Sequence, residues 1–296
     1  MTRIALDGRE YWVKTRRDVI APLKAPRLVV AGFQPNAAAA DILRVCIDSI
    51  QRFTPQPHEL WIVDNASPAK YSRWLDNAPG INVIQNLTPP RPPRRWRDRL
   101  LRRPPPYAGS YANAIALEIA ARVIDPQSRY MMALHMDTMF CHPQWLDYLM
   151  SKMTENVRAV GMRLDTTRVR TIHVLALLFD FTLWRPLNLT FMHDMPRYDV
   201  GDAISIALER AGYALWACAN TYGDPRVLER LPTNSPYRAL AVDRALDDEG
   251  NVIFMHLGRG IGKSKGAHLP GKTSAQAWLD FGQKLTLGNL SGAAKG

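Results

Sequence analysis

Short apolar runs rich in β-branched residues alternate with helix-patterned stretches along the first half of this chain. That alternation restricts the fold more than any single motif does. Residues 28–33 (LVVAGF), 60–63 (LWIV), 81–84 (INVI) and 130–134 (YMMAL) read as buried strands. Between the first two, Leu43, Cys46, Ile47, Ile50 and Phe53 mark one helix face, with Asp41 as candidate N-cap. Ser110 heads a second helix through Ala112, Ile115, Ile119 and Val123. Pro143 suits the first position of a third, through Trp145, Leu146 and Leu149. Strands and helices in turn, joined by short polar connections, predict an α/β fold: a mostly parallel, Rossmann-like sheet with helices on both faces. In such sheets ligands bind beyond the carboxyl ends of the strands.

The second half is less regular. Residues 157–162, 170–175, 213–217 and 252–257 are predicted strands, and 202–211 a helix stopped by Gly212. The ends, 1–26 and 262–296, are richer in Pro, Lys and Gly and read as a peripheral segment and a tail around a domain of 27–261. The three cysteines, Cys46, Cys141 and Cys218, show no CxxC spacing, so neither a disulfide framework nor a zinc site is indicated. The first residues lack the apolar core of a signal peptide. The longest apolar stretch, 174–184, contains Asp180 and is far too short for a membrane span. The expectation is a soluble cytoplasmic protein, at most peripheral at the inner face of a membrane.

The formal net charge of +11 is concentrated. Residues 88–107 (TPPRPPRRWRDRLLRRPPPY) hold seven arginines and seven prolines against one acid, a local charge of +6. Proline fixes φ and withholds a backbone donor, so this is an inserted loop. It is either a solvated loop or a basic arm for an anionic partner: phospholipid head groups, a lipid-phosphate acceptor or, as the weaker reading, nucleic acid.

Polar residues gather where the apolar strands stop. The run 130–134 ends in His135-Met136-Asp137, and 60–63 ends in Asp64-Asn65. His135 and Asp137 are two apart, so they point to one side of an extended strand, and both can ligate one divalent cation. The alternative is a carboxylate capping the next turn beside a packed histidine. Asp64, with Asn65 and Ser67, also suits a plain turn. Asp202, just before a helical face, is a good N-cap in its own right.

Taken in order, these segments resemble the inverting glycosyltransferases of the GT-A fold, of the large family-two type. Val63-Asp64-Asn65-Ala66-Ser67 matches the VDN-x-S that follows an apolar strand in that family, and His135-Met136-Asp137 stands where Asp-x-Asp is usual. Leu28 to Asn36 (LVVAGFQPN), with Phe33 and Asn36, is similar to the opening strand and nucleotide loop. Gly109 to Ala114, with Asn113, is similar to a helix start near the nucleotide. Pro143-Gln144-Trp145-Leu146 resembles the Pro-x-Trp-Leu after the metal strand. Asp199-Val200-Gly201-Asp202, before a helix ending Ala211-Gly212-Tyr213, resembles the catalytic acidic segment, and His256 a late metal-site histidine.

The resemblance implies a smaller acceptor-side half beside the nucleotide half. It implies metal-assisted transfer of a sugar, with inversion, from a nucleoside-diphosphate sugar to an acceptor hydroxyl. A carbohydrate or lipid-linked acceptor in cell-envelope synthesis would fit. Phe33, Asn36, Asp64, Asn65, Ser67, Asn113, His135, Met136 and Asp137 would line the nucleotide sugar. Asp137 and His256, with His135, would hold Mn2+ or Mg2+. Asp202, by its spacing from Gly212, ranks ahead of Asp199 as base.

Two rivals remain. A nucleotidyltransferase would carry a Gly-rich, Lys-containing loop after the first strand, and GFQPNAAAA has one Gly and no Lys or Arg. A non-catalytic nucleic-acid-binding protein would draw on the arginine run, where Trp96 and Tyr107 are the only aromatics. The Gly-rich basic stretch LGRGIGKSKG (257–266) lacks P-loop spacing. It is a solvated tail or a loop that folds over a diphosphate.

Overall fold

Strand residues that alternate between two buried faces build the centre of this protein. Leu28, Val30, Leu60, Ile62, Met132 and Leu134 belong to one core, and Val29, Trp61, Val63, Met131 and Ala133 to the other. Successive side chains on a strand point to opposite faces, and covering both faces makes the strands continuously apolar. The computed structural model describes residues 1–92, 107–163 and 169–289. Most of the Arg/Pro segment 88–107 lies outside the described residues.

The large sheet comprises β1 (Thr2–Leu6), β2 (Arg9–Arg16), β3 (Arg27–Gly32), β4 (Glu59–Asn65), β5 (Asn82–Asn86), β6 (Tyr130–His135), β8 (Val157–Arg163), β9 (Ile172–Asp180) and β10 (Ala214–Ala217), in the order β1-β2-β5-β4-β3-β6-β9-β8-β10. The pairs β3·β4, β4·β5, β3·β6 and β8·β10 are parallel. The pairs β1·β2, β2·β5, β6·β9 and β8·β9 are antiparallel. Only β2 and β9 therefore run against the other described strands of this sheet, which is mostly parallel as expected. Helices α1 (Ala37–Phe53), α3 (Trp145–Ser151) and α6 (Ala275–Thr286) contribute their buried faces to the first core. Helices α2 (Ala108–Val123) and α4 (Asp202–Arg210) contribute theirs to the second.

From β3 the chain builds β4 and β5 on one side, then crosses to place β6 on the other. The switch point, where open α/β sheets bind ligands, thus lies between β3 and β6. A second, antiparallel sheet joins β11 (Ala219–Asn220), β12 (Asp243–Leu246), β13 (Val252–His256) and β7 (Thr138–Phe140). Only Met136 and Asp137 separate β6 from β7, so the chain changes sheets at that pair. Among the described residues no helix is long and apolar enough to cross a membrane.

Both chain ends do more than the peripheral roles expected of them. Asp7 and Gly8, both at positive φ (49° and 66°), close a two-residue hairpin between Leu6 and Arg9. That hairpin adds β1 and β2 to the sheet edge. Near the other end, Ser274 caps α6, accepting from the Ala277 amide at 3.1 Å, and α6 buries Trp278, Phe281 and Leu285 against α1. Four predicted starts also move: α3 opens at Trp145, two residues past Pro143. Asn36, not Asp41, caps α1 by accepting from the Ala39 amide at 2.9 Å. Helix α2 begins at Ala108, before Ser110. Gly201, at φ 77°, is the N-cap of α4, with Asp202 the first helical residue. A Cβ on Gly201 would sit 2.3 Å from Val174 Cγ1, so this sharp corner requires glycine.

Candidate active site

Asp137 lies in the turn between β6 and β7, just past the switch point, and is 5% exposed. His135 ends β6, and His256 ends β13, paired with Thr138 of β7. One side chain from the large sheet, one from the small sheet and one from the turn between them therefore converge. His135 Nδ1 stands 3.4 Å from His256 Nε2. Asp137 Oδ1 is 3.4 Å from His256 Nε2 and 3.9 Å from His135 Nδ1. Among the described residues this is the group of three His, Cys, Asp or Glu side chains able to hold a metal ion. A point equidistant from those three atoms lies about 2.1 Å from each, an ordinary distance for a divalent cation on nitrogen and oxygen.

The electrostatics agree with that geometry. Burial acts to raise the Asp137 carboxyl, but His256, His135 and the Gly260 amide outweigh it and hold it well below the usual carboxylate range. Burial, then the neighbouring His256, pushes His135 down to about 4. Burial opposes charge on His256 as well, yet Asp137 and Asp243 carry it up to about 9. Without metal, His256 is thus the cation that neutralises Asp137. Its folded-state pKa lies above the ordinary imidazole value of 6.5, so its stabilisation is complete below that value and fades as pH rises through about 9. In the presence of a chelator, the stability deficit of His256→Gln in urea unfolding should be clear at pH 6 and largely gone by pH 9.5.

Gly260 opens the one-turn helix α5 (Gly260–Ser264) in the Gly-rich basic stretch, and its amide donates to Asp137 Oδ2 at 2.9 Å. A Cβ there would meet Asp137 Cβ at 2.8 Å and Oδ2 at 2.9 Å. Gly260→Ala should therefore displace the carboxylate, lowering stability by about 1–3 kcal/mol. A weaker Mn2+ isotherm and a lower melting temperature together would register it. The same loop carries Lys263, whose Nζ donates to the Leu257 carbonyl at 2.8 Å and whose charge interacts with Asp137. Of the two sequence readings for this stretch, the described residues fit a loop held against the site.

Beyond β4 a second polar group has formed. Asp64 is 5% exposed, and burial raises its carboxyl despite hydrogen bonds from Ser67 and Gln34. Ser67 Oγ accepts from the Gln34 amide at 2.8 Å, and Trp74 Nε1 donates to Gln34 Oε1 at 2.7 Å. Asn65 ties α2 to β5 instead: it donates to the Ala112 carbonyl at 2.7 Å and accepts from Asn86 at 2.8 Å. Asn36, besides capping α1, donates to the Ser264 carbonyl at 3.2 Å. The Met136 sulfur supports the loop after β3, accepting from the Phe33 amide at 3.5 Å. Asn113, on the second turn of α2, approaches the metal group, with Nδ2 3.3 Å from His135 Nε2. Sequence reasoning missed Gln34, Asp243 and Gly260. Gln34 stood inside the quoted LVVAGFQPN, but nothing in its spacing marks it.

Of the two candidate bases, Asp202 is 1% exposed. Its Oδ1 accepts from the Thr171 hydroxyl and its Oδ2 from the Asp199 amide, each at 2.7 Å. Asp199 is half-buried, and its charge reaches His135.

No family model and no curated protein matches the chain by sequence. Among solved structures it is similar to a mannosyltransferase, PcManGT from Pyrobaculum calidifontis, in complex with GDP-Man and Mn2+. The two share 16% identity over 92% of this chain and 76% of that one, with a TM-score of 0.46. It is also similar to the galactosyltransferase LgtC in complex with donor and acceptor sugar analogues, at 13% identity over 91% and 98% of the chains and a TM-score of 0.49. A 4-diphosphocytidyl-2C-methyl-D-erythritol synthase from Anaerococcus prevotii gives 10% identity over 66% and 89%, with a TM-score of 0.42. Every one of these scores is below 0.5, so the function has to be read from the site itself.

Proposed function

We propose that this chain transfers a sugar, with inversion, from a nucleoside-diphosphate sugar to an acceptor hydroxyl. The observation that carries the reading is the meeting of His135, Asp137 and His256 at the β3/β6 switch point, beside the buried Asp64 group. In this reading Asp64 and Gln34 face the nucleobase. Arg259 and Lys263 flank the diphosphate from the Gly-rich loop, a positive lining for an anionic leaving group. Asp137, His256 and His135 hold Mn2+, or Mg2+ in the broader expectation. A divalent cation there supplies Lewis-acid stabilisation of the charge that gathers on the departing diphosphate.

The base must lie across the sugar from the leaving group. Asp202 is buried and gives both oxygens to the loop below it. Asp199, half-buried and accepting from the Val200 amide at 2.8 Å, lies within electrostatic reach of the metal group, so the role is given to Asp199. The acceptor O–H gives its proton to the Asp199 carboxylate as its oxygen bonds the anomeric carbon. The bond from that carbon to the diphosphate oxygen breaks with its electrons on the phosphate. The acceptor is a carbohydrate or lipid-linked hydroxyl. Residues 88–107 remain the proposed contact to an anionic surface.

Binding to the folded state raises its melting point, by about 2.7 kcal/mol of stability at a hundredfold excess over Kd. One of UDP, GDP or TDP should raise the melting temperature by several degrees with Mn2+ and less without it. A flat response to all three, with and without the metal, would remove the reading. The anomeric configuration of the product, read by NMR, decides inversion.

A further inference from the structure

In each of the three side chains at the switch point, the atom turned away from the shared centre is itself positioned. Asp137 Oδ2 accepts the Gly260 amide at 2.9 Å, leaving Oδ1 for the centre. His135 turns Nδ1 inward while Nε2 faces the Asn113 amide at 3.3 Å. His256 turns Nε2 inward while Nδ1 lies 3.7 Å from Asp243 Oδ2. That Nδ1 is buried, with no hydrogen-bond partner among the described residues, so the Asp243 carboxylate is the acceptor its N–H faces. Imidazole ligates through one nitrogen when the other keeps its proton, and an acceptor at that second nitrogen fixes both tautomer and ring. At His135 the Asn113 nitrogen is placed toward Nε2; the two ends of an amide exchange by a half-turn about its last torsion, and the ligating tautomer requires the exchanged orientation, in which the oxygen accepts from Nε2–H. The ring of His173 stands edge-on to His135, with centroids 5.3 Å apart, and limits its swing.

Two of the three inward atoms are imidazole nitrogens. Magnesium favours oxygen ligands and gives up water reluctantly, whereas imidazole suits manganese and later transition metals. We propose that this centre selects a transition-metal dication over magnesium, and that Asn113 and Asp243 are positioning residues that hold His135 and His256 in their ligating tautomers. The proposal rests on the cation role given above to the triad. It does not depend on which reaction follows.

The test is metal binding by the full chain, read by calorimetry and by electron spin echo modulation of bound Mn2+. Wild type should bind Mn2+ about 100-fold more tightly than Mg2+ and show two coupled imidazole nitrogens. His135→Asp should narrow that preference to about tenfold or less and leave one coupled nitrogen. Asn113→Ala and the near-isosteric Asp243→Asn should weaken Mn2+ by about 10–100-fold, with the melting temperature in chelator unchanged for Asn113→Ala and lowered modestly for Asp243→Asn, which also loses a charge that favours protonated His256. Equal affinity of wild type for the two metals overturns the selectivity. Wild-type Mn2+ affinity in both positioning variants overturns their assignment. Mn2+ binding of the expected pattern, in a protein that takes no nucleoside diphosphate, supports this inference while removing the transfer reading.

Discussion

Asp137→Asn should abolish measurable Mn2+ binding and lower the proposed sugar transfer by about 10³-fold, the scale reached when electrostatic stabilisation of a leaving group is lost. Asp137 supplies the carboxylate of the metal group, and its side chain is locked between two imidazoles and the Gly260 amide. Asparagine keeps the shape and loses the charge. The fold should survive, because His256 is raised chiefly by Asp137 and can fall back to its neutral form once that charge has gone. Calorimetry with Mn2+ and a donor-consumption assay on one preparation give the answer. Wild-type Mn2+ affinity in Asp137→Asn would dismantle the site.

The second large effect separates two neighbouring acids. Asp199→Asn should lower kcat by about 10²–10⁴-fold, the usual share of general-base catalysis, with donor KM and melting temperature unchanged. Asp202→Asn should behave differently. Asparagine has a single acceptor oxygen where the Thr171 hydroxyl and the Asp199 amide now use one carboxylate oxygen each, and a buried donor left unsatisfied costs about 1–3 kcal/mol. Its signature is a lowered melting temperature, with activity falling in step as the corner at Gly201 loosens. If Asp199→Asn turned over normally while Asp202→Asn were inactive at an unchanged melting temperature, the base would be Asp202.

The residues at the strand ends were legible in the sequence for a physical reason. Strands covered on both faces read as unbroken apolar runs, so the first polar residues after them, Asp64 and His135 to Asp137, stand out. The hairpin at Asp7-Gly8 carried an equally direct signal, an Asp-Gly pair between two alternating runs. The Pro, Lys and Gly content of residues 1–26 masks it, because such composition reads as a peripheral segment. Helix α6 likewise shows Trp278, Phe281 and Leu285 at helical spacing, obscured by the Gly- and Lys-rich residues around it. Asp243 and Gly260 were beyond reach. They meet His256 and Asp137 only because β12 pairs with β13 and the Gly-rich stretch turns back on the β6–β7 corner, and neither contact leaves a trace in local spacing.

The two-residue crossing from β6 to β7 has a mechanical consequence. A bound ion would rivet the two layers together, with His135 fixed in one plate and His256 in the other. Hydrogen exchange along β12 and β13 should slow when metal is added, far more than along β4 or β5.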